Sequence, residues 1–338
     1  MPDNVPAPAN DGACLSAAHL TARIKDEARR LGFAACGVAK AGHVSSSEEA
    51  HLRRWLGEGR YADMHYMTNY LDLRLDPRLL MPGLKSIVSL AMNYAPARRL
   101  AEGEPQIAAY ALGKDYHDVM KDRIHRLAAF VAGETGCTDL VYRAFVDSGP
   151  VLERYWAEQA GLGWVGRNRL LIIPRAGSEF FLGELFLPID LCYDEPLPNR
   201  CGRCHRCIDR CPTHALAADG TFEASLCLSY QTIENRGPLS PVAQDAMGDF
   251  IYGCDRCQMA CPWNRFARPT DITEFCPSDE LLQMTRRQWE HLSEDEYRRL
   301  FKGSAVKRAK YAGLMRNIRN YADHTPDDYC PDNEKNEG

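Results

Sequence analysis

Cys201-Gly-Arg-Cys204-His-Arg-Cys207-Ile-Asp-Arg-Cys211-Pro212 is the stretch on which the reading of this chain turns. Its spacing, C-x2-C-x2-C-x3-C-P, is that of bacterial two-cluster ferredoxins, in which three thiolates hold one [4Fe–4S] cluster and the fourth reaches across to the other. A second run, Cys254-x2-Cys257-x3-Cys261-Pro262, lacks one early cysteine, and Cys227 is the obvious substitute. The crossover rule then gives Cys201, Cys204, Cys207 and Cys261 to one cluster and Cys211, Cys227, Cys254 and Cys257 to the other. Zinc also uses short C-x2-C knuckles, but a single ion takes two ligands from each, which leaves the third cysteine of the first run without a purpose. Of the six remaining cysteines, Cys36, Cys137 and Cys192 have apolar neighbours and read as core packing. Cys14, Cys276 and Cys330 read as incidental.

Working outward, a chain of 338 residues, 45% hydrophobic and 26% charged, can bury a full core. Its first twenty residues hold Pro2, Pro6 and Pro8 but no basic segment leading into an apolar one, so no signal peptide is expected. No apolar run approaches the roughly 18 residues of a membrane span. Fourteen cysteines in such a chain point to metal ligation rather than a disulfide scaffold, and to a cytoplasmic setting. A formal charge of −5 excludes a generic nucleic-acid binder. The stretch from Arg298 to Arg319, however, carries eight Lys/Arg and no Asp or Glu. It suits phosphates, or equally a solvated helical face.

Residues 1–15 read as a disordered leader. Leu20, Ile24, Ala28 and Leu31 then recur at helical spacing between a capping Ser16 and a stop at Gly32. Strand-like and helical segments alternate from there: Phe33 to Val38, Ser47 to Leu56, Ser86 to Tyr94, Asp115 to Glu134, Leu140 to Val146, Leu152 to Ala160, Leu170 to Ile173 and Glu179 to Leu187. That alternation predicts an α/β domain over 16–195. A compact cysteine module follows over 196–269, then a helical region over 270–322 and a loose acidic tail over 323–338.

Several segments read together resemble the epoxyqueuosine reductase family. They are Tyr110-Ala-Leu-Gly-Lys-Asp-Tyr-His117, Val146-Asp-Ser-Gly-Pro150, Gly163-Trp-Val-Gly-Arg-Asn168, the first cysteine run, Cys227-Leu-Ser-Tyr-Gln-Thr-Ile-Glu234 and Tyr252-Gly-Cys-Asp-Arg-Cys257. The resemblance spans about Ala17 to Tyr321. It implies an α/β cobalamin-binding domain, a ferredoxin-like module with two [4Fe–4S] clusters, a helical C-terminal part, and reduction of epoxyqueuosine in a tRNA anticodon. Local departures are Ala109, where relatives often have a basic residue, Gln231 in place of a usual Leu, and Arg169 after Asn168.

Reductive opening of an epoxide builds negative charge on oxygen, so a positioned acid speeds it by about 10² to 10⁴. Asp147 follows a strand-like run and precedes the turn Ser148-Gly149-Pro150. From the residues alone it reads as a cap for the helix near Leu152; the resemblance implies that it is the proton donor, with a raised pKa in an apolar cleft. The resemblance also places Tyr110, Asp115, Tyr116, His117, Gly163, Gly166, Asn168, Gln231 and Asp255 about cobalamin or substrate. For Asp115 a helix cap, and for the two glycines a tight turn, are equally open readings. Without a dinucleotide-binding glycine run, electrons are expected from flavodoxin or ferredoxin. Lys307, Arg308 and Lys310 are expected to contact tRNA phosphates, and the enzyme is expected to be monomeric. The rivals are a reductive dehalogenase-like corrinoid enzyme, a non-catalytic electron carrier and a tRNA-binding module with structural zinc.

Overall fold

The computed structural model describes residues 16–325. The leader over 1–15 and most of the tail over 323–338 therefore lie outside the described residues. Helix α1 (Ala17–Arg30) begins where Ser16 accepts the backbone N–H of His19 and ends before Gly32, whose φ of +91° suits glycine. Strand β1 (Ala35–Lys40), helices α2 (Ser46–Gly57) and α3 (Leu71–Leu75), strand β2 (Ser86–Asn93) and the short β3 (Gln106–Ile107) follow. Next come α4 (Tyr116–Thr135), β4 (Arg143–Phe145), α5 (Glu153–Gln159), the hairpin strands β5 (Trp164–Val165) and β6 (Leu171–Ile172), and β7 (Phe180–Leu187).

Four of these strands form one sheet in the order β1-β2-β7-β4, and every neighbouring pair is antiparallel. Side chains alternate across it with period two. Val88, Leu90, Leu185 and Leu187 face α1 and α4, whereas Ile87, Ala91, Phe145 and Phe186 face α2 and α5. Both faces are covered, so the strands are apolar nearly throughout, a composition usual for parallel sheets. At Gly37 an added Cβ would collide with the Ala160 carbonyl oxygen, so β1 can approach the end of α5 only as glycine.

The cysteine module contains α6 (Arg206–Asp209), α7 (Leu228–Ile233), α8 (Pro241–Ala246), β8 (Phe250–Tyr252) and α9 (Arg256–Met259). It is sutured to the sheet domain by a parallel β3–β8 pair and by Gln258, whose Nε2 donates to Tyr94 Oη (3.0 Å) and the Ser178 carbonyl (3.1 Å). The C-terminal region is α10 (Asp279–Leu282), α11 (Arg286–Glu290), α12 (Glu294–Leu300) and α13 (Lys310–His324). Trp289, Phe301, Leu314 and Ile318 pack with Ile251 and Tyr252 of the module into one core. The buried Asn317 amide donates to the Thr232 and Ile251 carbonyls at 2.9 and 2.8 Å. The apolar positions expected to hold Cys137 and Cys192 in a core do not exist: both are exposed, and only Cys36 packs against the sheet core. Cys137 follows the helix-ending Gly136, and Cys192 lies beyond the end of β7; both fall just past the segments their apolar neighbours belong to.

Candidate active site and cysteine cavities

The two cysteine runs fold into short helical turns, α6 and α9, that pack on each other. Cys201, Cys204, Cys207 and Cys261 line one small cavity together with Arg167, Asn168 and Trp263. Among the described residues no three His, Cys, Asp or Glu side chains are spaced to hold a single metal ion. Arg167 Nε and Asn168 Nδ2 are buried there without a hydrogen-bond partner. Buried donors without acceptors are costly, and two of them at a cavity walled by four thiols suit an anionic cluster whose sulfides accept N–H.

Cys211, Cys227, Cys254 and Cys257 form the second group: Cys257 feels Cys254 and Cys227, and Cys227 feels Cys211. Burial pushes the Cys254 thiol up to about 12 and raises that of Cys257 well above its ordinary value. A resident cation or cluster is what would draw such thiols into their thiolate form. Asp255, between two of these cysteines, is 2% exposed, and burial pushes its carboxyl up to about 6. It accepts the Ala109 N–H (2.7 Å) and pairs with Arg99, which also holds Glu179 at the start of β7.

Asp147 sits in the loop between β4 and α5 with φ +49°, a left-handed conformation that costs most residues roughly 1–2 kcal/mol and aspartate less. It does not cap α5, whose first turn receives no side-chain cap. Its Oδ2 instead accepts the Tyr116 hydroxyl at 2.8 Å and lies 4.0 Å from His117 Nε2. Asp115 caps α4 by accepting the His117 N–H, and the same oxygen meets His117 Nδ1 at 2.6 Å. That hydrogen bond to His117 holds the Asp115 carboxyl below the usual carboxylate range. Tyr116 stacks on His117 (4.1 Å) and Phe181 (4.3 Å), with Tyr110 edge-on, so an aromatic wall stands beside the carboxyl. Burial, and then the charge of Asp147, keep the Tyr116 phenol protonated and therefore a donor. The Asp147 side chain is 67% exposed rather than closed in by apolar groups. Tyr66, Arg74 and Arg308 all feel its charge.

Two acids missed in the sequence stand behind Asp147. Glu153 accepts the Asp147 N–H at 2.5 Å. Glu184, at the centre of β7, is fully buried, and neither carboxyl oxygen has a hydrogen-bond partner. Burial and then the charge of Asp147 push Glu153 up to about 8, and burial and then the charge of Glu153 raise Glu184. The available signal was a lone charge inside Phe-Phe-Leu-Gly-Glu184-Leu-Phe-Leu.

Other expected residues have local partners. A Cβ at Gly163 would strike the Ile172 carbonyl across the β5–β6 hairpin, and one at Gly166 would meet Ile172 Cδ1 at 2.5 Å. The Gln231 amide donates to the Ser225 carbonyl and accepts from Asn235. Of the basic stretch, Arg298 and Arg299 pair with Glu294 and Glu280, and Arg308 holds Glu234 with two contacts of 2.8 Å while lying over Tyr66. Lys307 and Lys310 are exposed, and among the described residues neither is in an ion pair.

The family model described as epoxyqueuosine reductase QueG, DUF1730 matches residues 74–148, and a 4Fe-4S double cluster binding domain matches 200–264. Similar proteins include the epoxyqueuosine reductases of Cellulophaga algicola, 44% identical over 87% of this chain and 95% of that one, and of Escherichia coli, 37% identical over 88% and 79%. Among solved structures, epoxyqueuosine reductase from Streptococcus thermophilus superposes with a TM-score of 0.79 at 29% identity, covering 89% of this chain and 80% of that one. An epoxyqueuosine reductase with an epoxyqueuosine-modified tRNA-Tyr stem loop superposes at 0.81, with 27% identity over 90% and 81%.

Proposed function

The chain belongs to the epoxyqueuosine reductase family, and from that membership we infer how its own residues reduce epoxyqueuosine to queuosine in a tRNA anticodon. The reaction removes one oxygen: two electrons and two protons convert the epoxide to an alkene and water. Two [4Fe–4S] clusters serve it, and we assign Cys201, Cys204, Cys207 and Cys261 to the outer one and Cys211, Cys227, Cys254 and Cys257 to the inner. The grouping of the first four around one cavity with two unpartnered N–H donors supports that division.

We further infer that cobalamin binds in the cleft of Asp147, against the aromatic wall of Tyr110, Tyr116 and His117 and beside the buried Asp255. A broad aromatic surface with an exposed carboxyl at its edge and Tyr66, Arg74 and Arg308 opposite suits a large flat ligand that leaves room for an unstacked nucleoside. Bound cobalamin supplies a low-potential cobalt centre, chemistry that belongs to the cofactor.

The chain supplies position and protons. Asp147 delivers a proton to the oxygen as the C–O bond breaks, and the Tyr116 hydroxyl orients the carboxyl through its 2.8 Å hydrogen bond. His117, fixed by Asp115, stands within 4.0 Å to reprotonate it. Glu153 holds the loop by its backbone. The observation that carries this reading is the Asp147 carboxyl itself, presented to the cleft on a left-handed turn by contacts from α4 and α5 rather than being used as a helix cap. We place tRNA phosphates on Lys307 and Lys310, electrons from a flavodoxin or ferredoxin, and a monomer as the working unit. Anaerobic incubation with cobalamin, a chemical reductant and epoxyqueuosine-containing tRNA, followed by nucleoside mass spectrometry, tests the function. The expected product is lighter by one oxygen, and unchanged nucleoside would defeat the reading.

A further inference from the structure

The run that supplies three of the outer cysteines also carries charge that the reaction does not use. Arg200, Arg203, Arg206 and Arg210 interleave with its cysteines, and all four side chains are exposed. Among the described residues none of the four is in an ion pair, in contrast to Arg298, Arg299 and Arg308. The one acid in the run, Asp209, is engaged by His205 at 2.7 Å. Four free guanidiniums within eleven residues repel one another and gain nothing for the fold, so a partner is the natural reason to keep them there.

Neighbouring elements carry exposed apolar groups. Met259, the last residue of α9, is 64% exposed and lies where α9 packs on α6, the helix that begins at Arg206. Phe266 is 36% exposed, lies 6.1 Å from Trp263 in the cavity wall, and has the Arg265 guanidinium over its ring at 4.6 Å. Cationic residues around a small apolar centre, over the more open of two redox sites, match transient carrier complexes: small, steered by charge and quick to dissociate.

We propose that this arginine collar is the docking surface for an acidic one-electron carrier protein of the flavodoxin or ferredoxin class. The proposal rests on the reading of the first cysteine group as a cluster site. One electron leaves the reduced carrier and lands on the outer cluster; the carrier departs oxidised, and a second visit completes the two-electron demand of the epoxide. Charge complementarity selects the partner: a cationic ring repels a basic protein and gathers an acidic one. RNA would also be gathered, but these arginines belong to the first cysteine run and α6, not to the elements that carry Tyr66, Arg74 and Arg308.

Cluster-loaded protein mixed anaerobically with reduced flavodoxin, and followed by loss of cluster absorbance, reads the proposal without cobalamin or tRNA. The triple variant Arg203→Glu, Arg206→Glu, Arg210→Glu should slow this second-order reaction at least about tenfold at low salt and flatten its ionic-strength dependence. Reduction by photoexcited deazariboflavin, which is uncharged, should be unchanged, as should the affinity for tRNA. Should the triple variant lose iron, the milder Arg203→Gln, Arg206→Gln pair replaces it, with about threefold slowing expected. An unchanged flavodoxin rate overturns the proposal, and so does a loss of tRNA affinity with the flavodoxin rate intact, which would make the collar an RNA contact. Failure of the wild type to deoxygenate epoxyqueuosine with deazariboflavin would sink the proposed function alone and leave the carrier result standing.

Discussion

Asp147 is held by groups that come from two helices: Tyr116 on its carboxyl and His117 nearby, both from α4, and Glu153 of α5 on its backbone N–H. Asp147→Asn keeps the size and the Tyr116 contact but cannot release a proton, so turnover should fall by about 10² to 10⁴. Iron, sulfide and tRNA affinity should stay at wild-type values in the same preparation, and wild-type turnover would exclude Asp147 as the acid. Behind it, Glu184 faces Glu153 and Asp147 within the layer that also buries Ser89 Oγ and Trp156 Nε1 without partners. Its folded pKa lies above the unfolded value, so the folded state holds a proton that the unfolded state has already lost. That contribution is complete below about pH 4.5 and is lost as pH rises toward the raised folded value. Thermal melts should therefore show wild-type stability falling as pH rises above about 4.5, with Glu184→Gln flattening the trend and melting higher at the alkaline end. Equal slopes would place the shared proton elsewhere. These acids were not legible in the sequence because Glu184 and Asp147 meet only after β4, β7 and α5 come together. Asp147 itself was found through the resemblance, since the residues alone favoured a cap.

At the scale of elements, the long helices and the two central strands were legible because caps and apolar spacing are local: Ser16, Ser45 and Asp115 cap α1, α2 and α4. Strand direction was not, because a sheet covered on both faces is apolar whichever way its strands run. The cysteine runs were the most legible feature, their spacing being dictated by the ligand rather than by distant contacts. Their crossover is testable by exchange of single ligands. Cys261→Ala should remove the outer cluster and Cys211→Ala the inner, each variant retaining about half of the iron. Electron paramagnetic resonance of the reduced proteins should give two different residual signals. The same residual signal from both variants would refute the crossover.

Taken as a whole molecule, the protein distributes its basic residues by task. Arg298, Arg299 and Arg308 are tied to carboxylates, and Arg316 donates to the carbonyls of Gln231, Asn235 and Gly237, so half of the basic stretch is structural. Lys307→Glu with Lys310→Glu should weaken tRNA binding and lower the slope of log affinity against log salt by about 1 to 2. An unaltered slope in filter binding would return both lysines to the solvated face. Among the described residues no helix is long and apolar enough to cross a membrane. The clustering of Cys261 with Cys201, Cys204 and Cys207 around one cavity has a consequence for biogenesis. On the crossed ligation proposed above, neither half of the module would complete its own metal centre, so iron insertion would wait until both halves had emerged from the ribosome and met. Maturation would thereby proofread tertiary structure, a misfolded chain staying colourless.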